Sequence, residues 1–236
     1  MTATSWYADV VLWHLIACDH AYDGPEPVGA GAAVFGRVGS LLGDGLADVT
    51  VCVDDHDEVA CATTSGDGEF LLEGLPDATD VIVTMEREGS LPTAFLHNTA
   101  LTDAWDKTLM PASLVDSMAN RVDTTLEPAL GNTLFIVWSD TSYQSDRVEG
   151  VTFALAPDVG VSYYQGGGAF PDPDAAATSS SGAGGAFNVP PGDYTMVFDD
   201  PRGDCAGWFT FAHEPGDPVP VRILPGFSSY MDLVCP

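Results

Sequence analysis

The sequence predicts an all-β protein, two antiparallel β-sandwiches with a short helical segment between them. Three observations carry this. From Val34 onward, short runs rich in β-branched and apolar residues follow a period of two: "AVFGRVGS", "LADVTVCVDD", "EVACATTS", "GEFLLEGLP" and "DVIVTMERE". Gly, Asp and Pro turns separate them. The pattern then repeats: "LADVTVCV" (46–53) matches "VEGVTFAL" (148–155), and "ATTSGDGEFLLEGLPDATDVIVT" (62–84) matches "ATSSSGAGGAFNVPPGDYTMVF" (177–198).

The N-terminal stretch, residues 1–33, stands apart. In "VVLWHLIAC" (10–18) the segment Leu15-Ile16-Ala17-Cys18 resembles the lipobox of bacterial lipoproteins, and Val10–Ala17 has the length of a signal-peptide core, too short to span a bilayer. Asp9 and His14 interrupt the run and no basic residue precedes it. Two readings stay open: a signal that leaves a lipidated Cys18, or a β-strand retained in the folded protein. Residues 19–33, acidic and rich in Pro and Gly, read as a tether.

The first sandwich is expected over 34–100. Asp67-Gly68 signals a tight type I′ turn, which needs positive φ at both central residues. Residues 101–130 read as a helical connector: in "MPASLVDSMANRV" (110–122) Pro111 suits a first helical position, and Leu114, Val115, Met118 and Val122 fall at helical spacing. The second sandwich is expected over 131–236, beginning with "GNTLFIVWSD".

Charge excludes some functions. Asp+Glu 35 against Lys+Arg 7 gives a formal net charge of −28 in 236 residues, and Lys107 is the only lysine. A nucleic-acid backbone or an anionic membrane surface needs clustered cations, so neither is a partner. Such a surface favours solubility and attracts cations or basic proteins.

Five cysteines form two pairs and one remainder, a pattern of oxidising compartments. If "VTVCVDD" and "EVACATT" pair as a two-residue hairpin turning at His56-Asp57, Cys52 faces Cys61 on a non-hydrogen-bonded pair, where side chains approach closely enough for a disulfide. His56 then sits at the tip in solvent and cannot join the sulfurs around a metal. Cys205, just after "YTMVF", and Cys235 are expected to pin the last strand, "YMDLVC", to the second sandwich. Cys18 is left over.

Both halves resemble the carboxypeptidase regulatory-like domain, a transthyretin-like sandwich of about seven strands. The motifs are "GLADVTVCV…ATTSGDGEFLLEGLP" and "VEGVTFAL…SSSGAGGAFNVPPGDYTMVF". The second half keeps the closing Pro-Gly-x-Tyr of that family as Pro191-Gly192-Asp193-Tyr194; the first has Asp77-Ala78-Thr79-Asp80 instead. The C-terminal stretch "GDCAGWFTFAHEPGDPVPVRILPGFSSYMDLVCP" resembles secreted two-domain proteins of myxobacterial type. The resemblance implies an accessory domain that binds, spaces or stabilises, with no catalytic residues and no cofactor.

Enzymatic alternatives find little support in the motifs. Intradiol dioxygenases use a related sandwich with an Arg-Pro-x-His-x-His segment, which has no counterpart here. The histidines lack metal spacing, no Gly-x-Ser-x-Gly elbow occurs, and "SGDGEF" is not an EF-hand loop. Asp54, Asp55, Asp57 and Glu58 read as a solvated tip or a weak Ca²⁺ site, Arg202-Gly203-Asp204 as a turn, and the five tryptophans as core or interface anchors.

The stretch most suggestive of binding is the insertion "DVGVSYYQGGGAFPDPDAAA" (158–177), which offers Tyr163, Tyr164, Phe170, Asp172 and Asp174 at a sandwich edge. A spacer whose tyrosines continue a strand is the competing reading. Taken together, the residues point to an exported, non-catalytic module for an extracellular protein or glycan. A self-assembling subunit, with strand 5–17 completing a neighbour's sheet, is the second reading.

Overall fold

A computed structural model describes residues 24, 31–101, 104–140, 146–168, 170–208 and 216–235. Residues 5–17 and Cys18 lie outside the described residues. The chain divides into two compact units, 1–112 and 113–236.

Unit 1 holds β1 (Ala32–Gly39), β2 (Thr50–Val53), β3 (Ala62–Thr63), β4 (Glu69–Leu75), β5 (Asp80–Glu86), β6 (Thr93–Asn98) and β7 (Trp105–Thr108). β1 pairs antiparallel with β4 and parallel with β7, whereas β2 lies between β3 and β5, and β5 pairs with β6, all antiparallel. Alternation places Val51, Val53, Phe70, Leu72, Val83 and Phe95 in the buried set, each contributing about 1.5–3 kcal/mol. β7 falls where the sequence reading placed a connector, so the first sandwich extends beyond residue 100.

The helix α1 (Ala112–Arg121) starts one residue after Pro111 and buries Val115, Met118 and Ala119. Asp123, at φ 53°, turns the chain out of it, and the Thr124 N–H donates to the Ala119 carbonyl at 3.1 Å.

Unit 2 holds β8 (Gly131–Trp138), β9 (Thr152–Ala156), β10 (Val161–Tyr164), β11 (Ala183–Val189), β12 (Gly192–Asp199), β13 (Ala206–Trp208), β14 (Val219–Ile223) and β15 (Ser228–Val234). β8 pairs antiparallel with β11 and parallel with β15; β10 adds beyond β11, and β13 pairs with β15. β12 lies between β9 and β14. Phe135, Leu155, Met196, Val221 and Leu233 are among the residues of the core between these strands.

The two units repeat the same hydrogen bonds around their first strands. Val38 N–H donates to Gly68 O at 2.8 Å and Val38 O accepts from Leu46 N–H at 2.9 Å; in unit 2, Val137 donates to Gly182 O at 2.8 Å and accepts from Val148 at 3.1 Å. Gly36 facing Trp105 therefore corresponds to Phe135 facing Met231, and Lys107 to Leu233. The bulky partner has changed strands. In each unit the last strand runs parallel to the first, a relation that antiparallel sandwiches alone do not predict.

Three strands have no equivalent in the other unit: β3, β10 and β13. β3 pairs with β2 in unit 1, while in unit 2 β10, from the insertion, pairs with β11, and β13 pairs with β15. Glycines let β11 sit close to both its neighbours: a Cβ on Gly185 would collide with the Thr133 carbonyl, and one on Gly184 would lie 2.9 Å from the Tyr163 carbonyl.

Candidate functional site

The disulfides form as the spacing predicts. Cys52 and Cys61 are bonded with Cα atoms 4.4 Å apart, and Thr50↔Thr63 and Val51↔Ala62 share the register that sets Cys52 opposite Cys61. The turn differs from the expected two-residue hairpin. β2 ends at Val53; Asp55 takes φ 60°, the Val59 N–H donates to His56 O at 2.9 Å, and Val59 is buried. Burying Val59 draws the loop inward, so His56 is not a solvent tip: its ring is 24% exposed and its Nδ1 lies 2.8 Å from Glu58 Oε1. That contact holds the Glu58 carboxyl below its ordinary value.

The Asp67-Gly68 turn is also of another type. Gly68 alone has positive φ, at 84°; the Gly68 N–H donates to Ser65 O at 3.0 Å, and Ser65 N–H donates to Glu69 O at 2.9 Å. This is a type I turn followed by a left-handed glycine, in place of type I′.

Cys205 and Cys235 are bonded and buried, and Asp200 lies beside them; their ligand atoms sit within 4.8 Å of one another. The shared S–S bond and the ion pair from Arg202 to Asp200, Nε to Oδ1 at 2.9 Å and Nη2 to Oδ2 at 3.0 Å, already use these atoms. Arg202 Nη2 also donates to Glu149 O at 2.8 Å, and Gly203 N–H donates to Asp200 O at 3.2 Å. The Arg-Gly-Asp stretch is thus a turn with its arginine engaged.

The predicted binding loop is only partly a surface. Tyr163 is 4% exposed, stacked on Phe187 at 4.2 Å, and its hydroxyl donates to Thr133 O at 3.4 Å; burial pushes its phenol up. Tyr164 belongs to the core of unit 2, and its hydroxyl oxygen accepts the Phe153 N–H at 2.9 Å. Burial raises its pKa and that hydrogen bond opposes the rise. Both tyrosines are structural, because β10 is a sheet strand with a covered side chain on either face. Phe170, Asp172 and Asp174 remain outside the core. Beyond Tyr164 the chain makes a small loop in which Gln165 bridges Pro171, and Gly166 N–H donates to Phe170 O at 3.0 Å. The Arg121 guanidinium lies 5.1 Å from the Phe170 ring. Asp172 and Asp174 are exposed, and Asp172 Oδ1 accepts the Asp174 N–H at 3.0 Å.

A polar group in unit 1 was not foreseen from the sequence. The Trp105 indole N–H donates to His97 Nδ1 at 3.1 Å, both residues being buried. Lys107 Nζ lies 5.2 Å from the Phe95 ring and 5.8 Å from that of Trp105. The one available signal is that Trp105 and Lys107 alternate on a strand and so share a face.

No protein-family model and no curated protein matches the chain. Among solved structures, the Bacillus anthracis TIE protein is similar at 12% identity, over 86% of this chain and 34% of that one, with a TM-score of 0.28. The minor pilin GBS52 of Streptococcus agalactiae is similar at 16% identity, over 82% of this chain and 86% of that one, with a TM-score of 0.27. BcpA, the major pilin subunit of Bacillus cereus, is similar at 13% identity, over 86% of this chain and 56% of that one, with a TM-score of 0.27. Likenesses this distant assign neither function nor assembly, and the carboxypeptidase regulatory-like resemblance rests on its motifs alone.

Proposed function

We propose that the chain is a non-catalytic, exported or cell-surface module of two carboxypeptidase regulatory-like sandwiches, binding an extracellular protein or glycan. The observation that carries this is a disulfide in each unit, one of them with an exposed cysteine, Cys61. Exposed disulfides persist where thiols are oxidised, outside the reducing cytosol. The acidic surface suits such a setting and disfavours polyanionic partners. Anchoring through a lipidated Cys18 belongs to the same reading, and intact mass of the native protein with Met1 still attached would remove it.

In this reading the exposed Asp172 and Asp174, with the half-buried Phe170, meet the partner. Deleting 158–177 would remove β10, so the test is the triple variant F170A/D172N/D174N against wild type on glycan and peptide arrays. Binding lost in the variant, with unchanged thermal unfolding, supports the reading. Wild type that binds nothing, or a variant that binds equally, rejects the loop as the site.

A further inference from the structure

We propose that the Cys52–Cys61 disulfide is a clasp that a dithiol can open, uncovering the β2 edge while unit 1 stays folded. The inference goes beyond the binding reading and does not depend on it.

The two disulfides differ in access. Cys61 is exposed and Cys52 half-buried, whereas Cys205 and Cys235 are 4% and 0% exposed. Thiol exchange needs an approach to sulfur, so the first pair is open to attack and the second is shielded. The strand it retains is short: β3 spans Ala62–Thr63 and is held on β2 by the register pairs Thr50↔Thr63 and Val51↔Ala62.

The repeat shows the same edge without a disulfide and without a covering strand. With Thr64 matched to Thr178, residues 176–177 stand where β3 would be, and they form no strand: β9 pairs with β12, and β10 pairs with β11. The β9 edge then relies on a side chain, since Phe153, the counterpart of Val51, gives its N–H to the Tyr164 hydroxyl. Unit 1 has no tyrosine on β3 to do the same. Opening the clasp therefore exposes the Val51 N–H and carbonyl, which face β3 because Val49, two residues earlier, bonds Thr64 on that side.

The rest of unit 1 does not depend on the clasp. Thr64 holds Val49 through hydrogen bonds that bypass the cysteines, and β2 keeps its register with β5 from Thr50↔Glu86 to Val53↔Val83.

The step balances as ordinary exchange. One thiolate of the dithiol attacks Cys61 Sγ, the S–S bond breaks, and Cys52 leaves as a thiolate that takes a proton. The second thiol of the reagent, as thiolate, attacks its own mixed-disulfide sulfur and releases Cys61. The dithiol departs as a cyclic disulfide; two electrons have moved to the protein.

The experiment titrates the full-length oxidised protein with dithiothreitol, alkylates the thiols with N-ethylmaleimide and maps them by peptide mass, with hydrogen exchange on the singly reduced species. Cys52 and Cys61 should be alkylated at a dithiol concentration at least about tenfold below that needed for Cys205 and Cys235. Exchange in the peptide covering Val51 should rise about tenfold or more, with β5 and unit 2 unchanged. C52A/C61A should show the same exchange pattern without reductant. Simultaneous opening of both pairs, unchanged exchange at Val51, exchange spreading through unit 1, or a C52A/C61A variant that does not fold would each overturn the proposal.

Discussion

Thr64 and Thr178 make the same hydrogen bonds in the two units. The Thr64 hydroxyl donates to Leu46 O at 2.6 Å and accepts the Val49 N–H at 2.9 Å, while its own N–H donates to Val49 O at 3.0 Å. Thr178 does this with Val148 at 2.8 Å, and with the Val151 N–H and carbonyl at 2.9 Å each. Both are 4% exposed. Removing either hydroxyl leaves a buried N–H and a buried carbonyl short of a partner, so T64V and T178V should each cost about 1–3 kcal/mol, and serine should recover most of it. Urea unfolding checks this; a loss within error for both valines would show that water replaces the clamp.

These bonds also correct the alignment of the repeat. Matching Ala62 with Ala177, as the residue types suggest, sets Thr63 against Thr178, whereas the hydrogen bonds set Thr64 there. What was legible came from periodicity and from local register: the β runs, the second copy, and the Cys52–Cys61 pairing that Val51↔Ala62 confirms. What was not legible depended on a distant partner. Period two marks β15 as a strand but does not show that it runs parallel to β8, and β7, parallel to β1, lies within the stretch read as a helical connector. For Tyr163 and Tyr164, adjacent residues of a strand face opposite ways, so the sequence could place one in the core. The other is buried by stacking on Phe187, a contact set by the pairing of β10 with β11.

Gly36 should tolerate no side chain. It faces Trp105 across the parallel pair, and a Cβ there would run into the Trp105 backbone, with its Cα at 2.7 Å. Backbone cannot swing aside as a flexible side chain can, so G36A should destabilise unit 1 by about 1–3 kcal/mol, the usual cost of overpacking. G66A, at a position with open space, is the control and should lie within about 0.5 kcal/mol of wild type. Equal melting temperatures for the two variants would contradict the close approach.

Asp200 should give unit 2 an acid-sensitive contribution. Burial acts to raise its carboxyl pKa, but the hydrogen bonds and charge of Arg202 outweigh that and hold it below the ordinary 3.8. A carboxyl with a depressed folded pKa stabilises above its unfolded value and loses that stabilisation as pH falls through the folded one. The stability gap between wild type and D200N should therefore be flat from about pH 5 to 7 and close below about pH 4. A gap that widens on acidification would reverse the sign of the argument.

The two disulfides should differ in what their removal costs. In the chain-entropy treatment the penalty grows with the loop closed, and the sequence separations are 9 for Cys52–Cys61 and 30 for Cys205–Cys235. This sets about 2–3 kcal/mol for C52A/C61A and about 3–4 kcal/mol for C205A/C235A. Packing widens the gap in the same direction. Cys205 and Cys235 belong to the core of unit 2, so alanine there also leaves a small void, while Cys61 is exposed and leaves none. The Cys235 N–H donates to Trp138 O at 2.9 Å, tying the end of β15 to β8, and losing the covalent pin should let that end fray before the rest of the sheet. Denaturant unfolding of each double variant measures the order, and hydrogen exchange at Leu233 and Val234 measures the fraying. A larger loss for C52A/C61A than for C205A/C235A would mean that loop length and burial do not govern these two bonds.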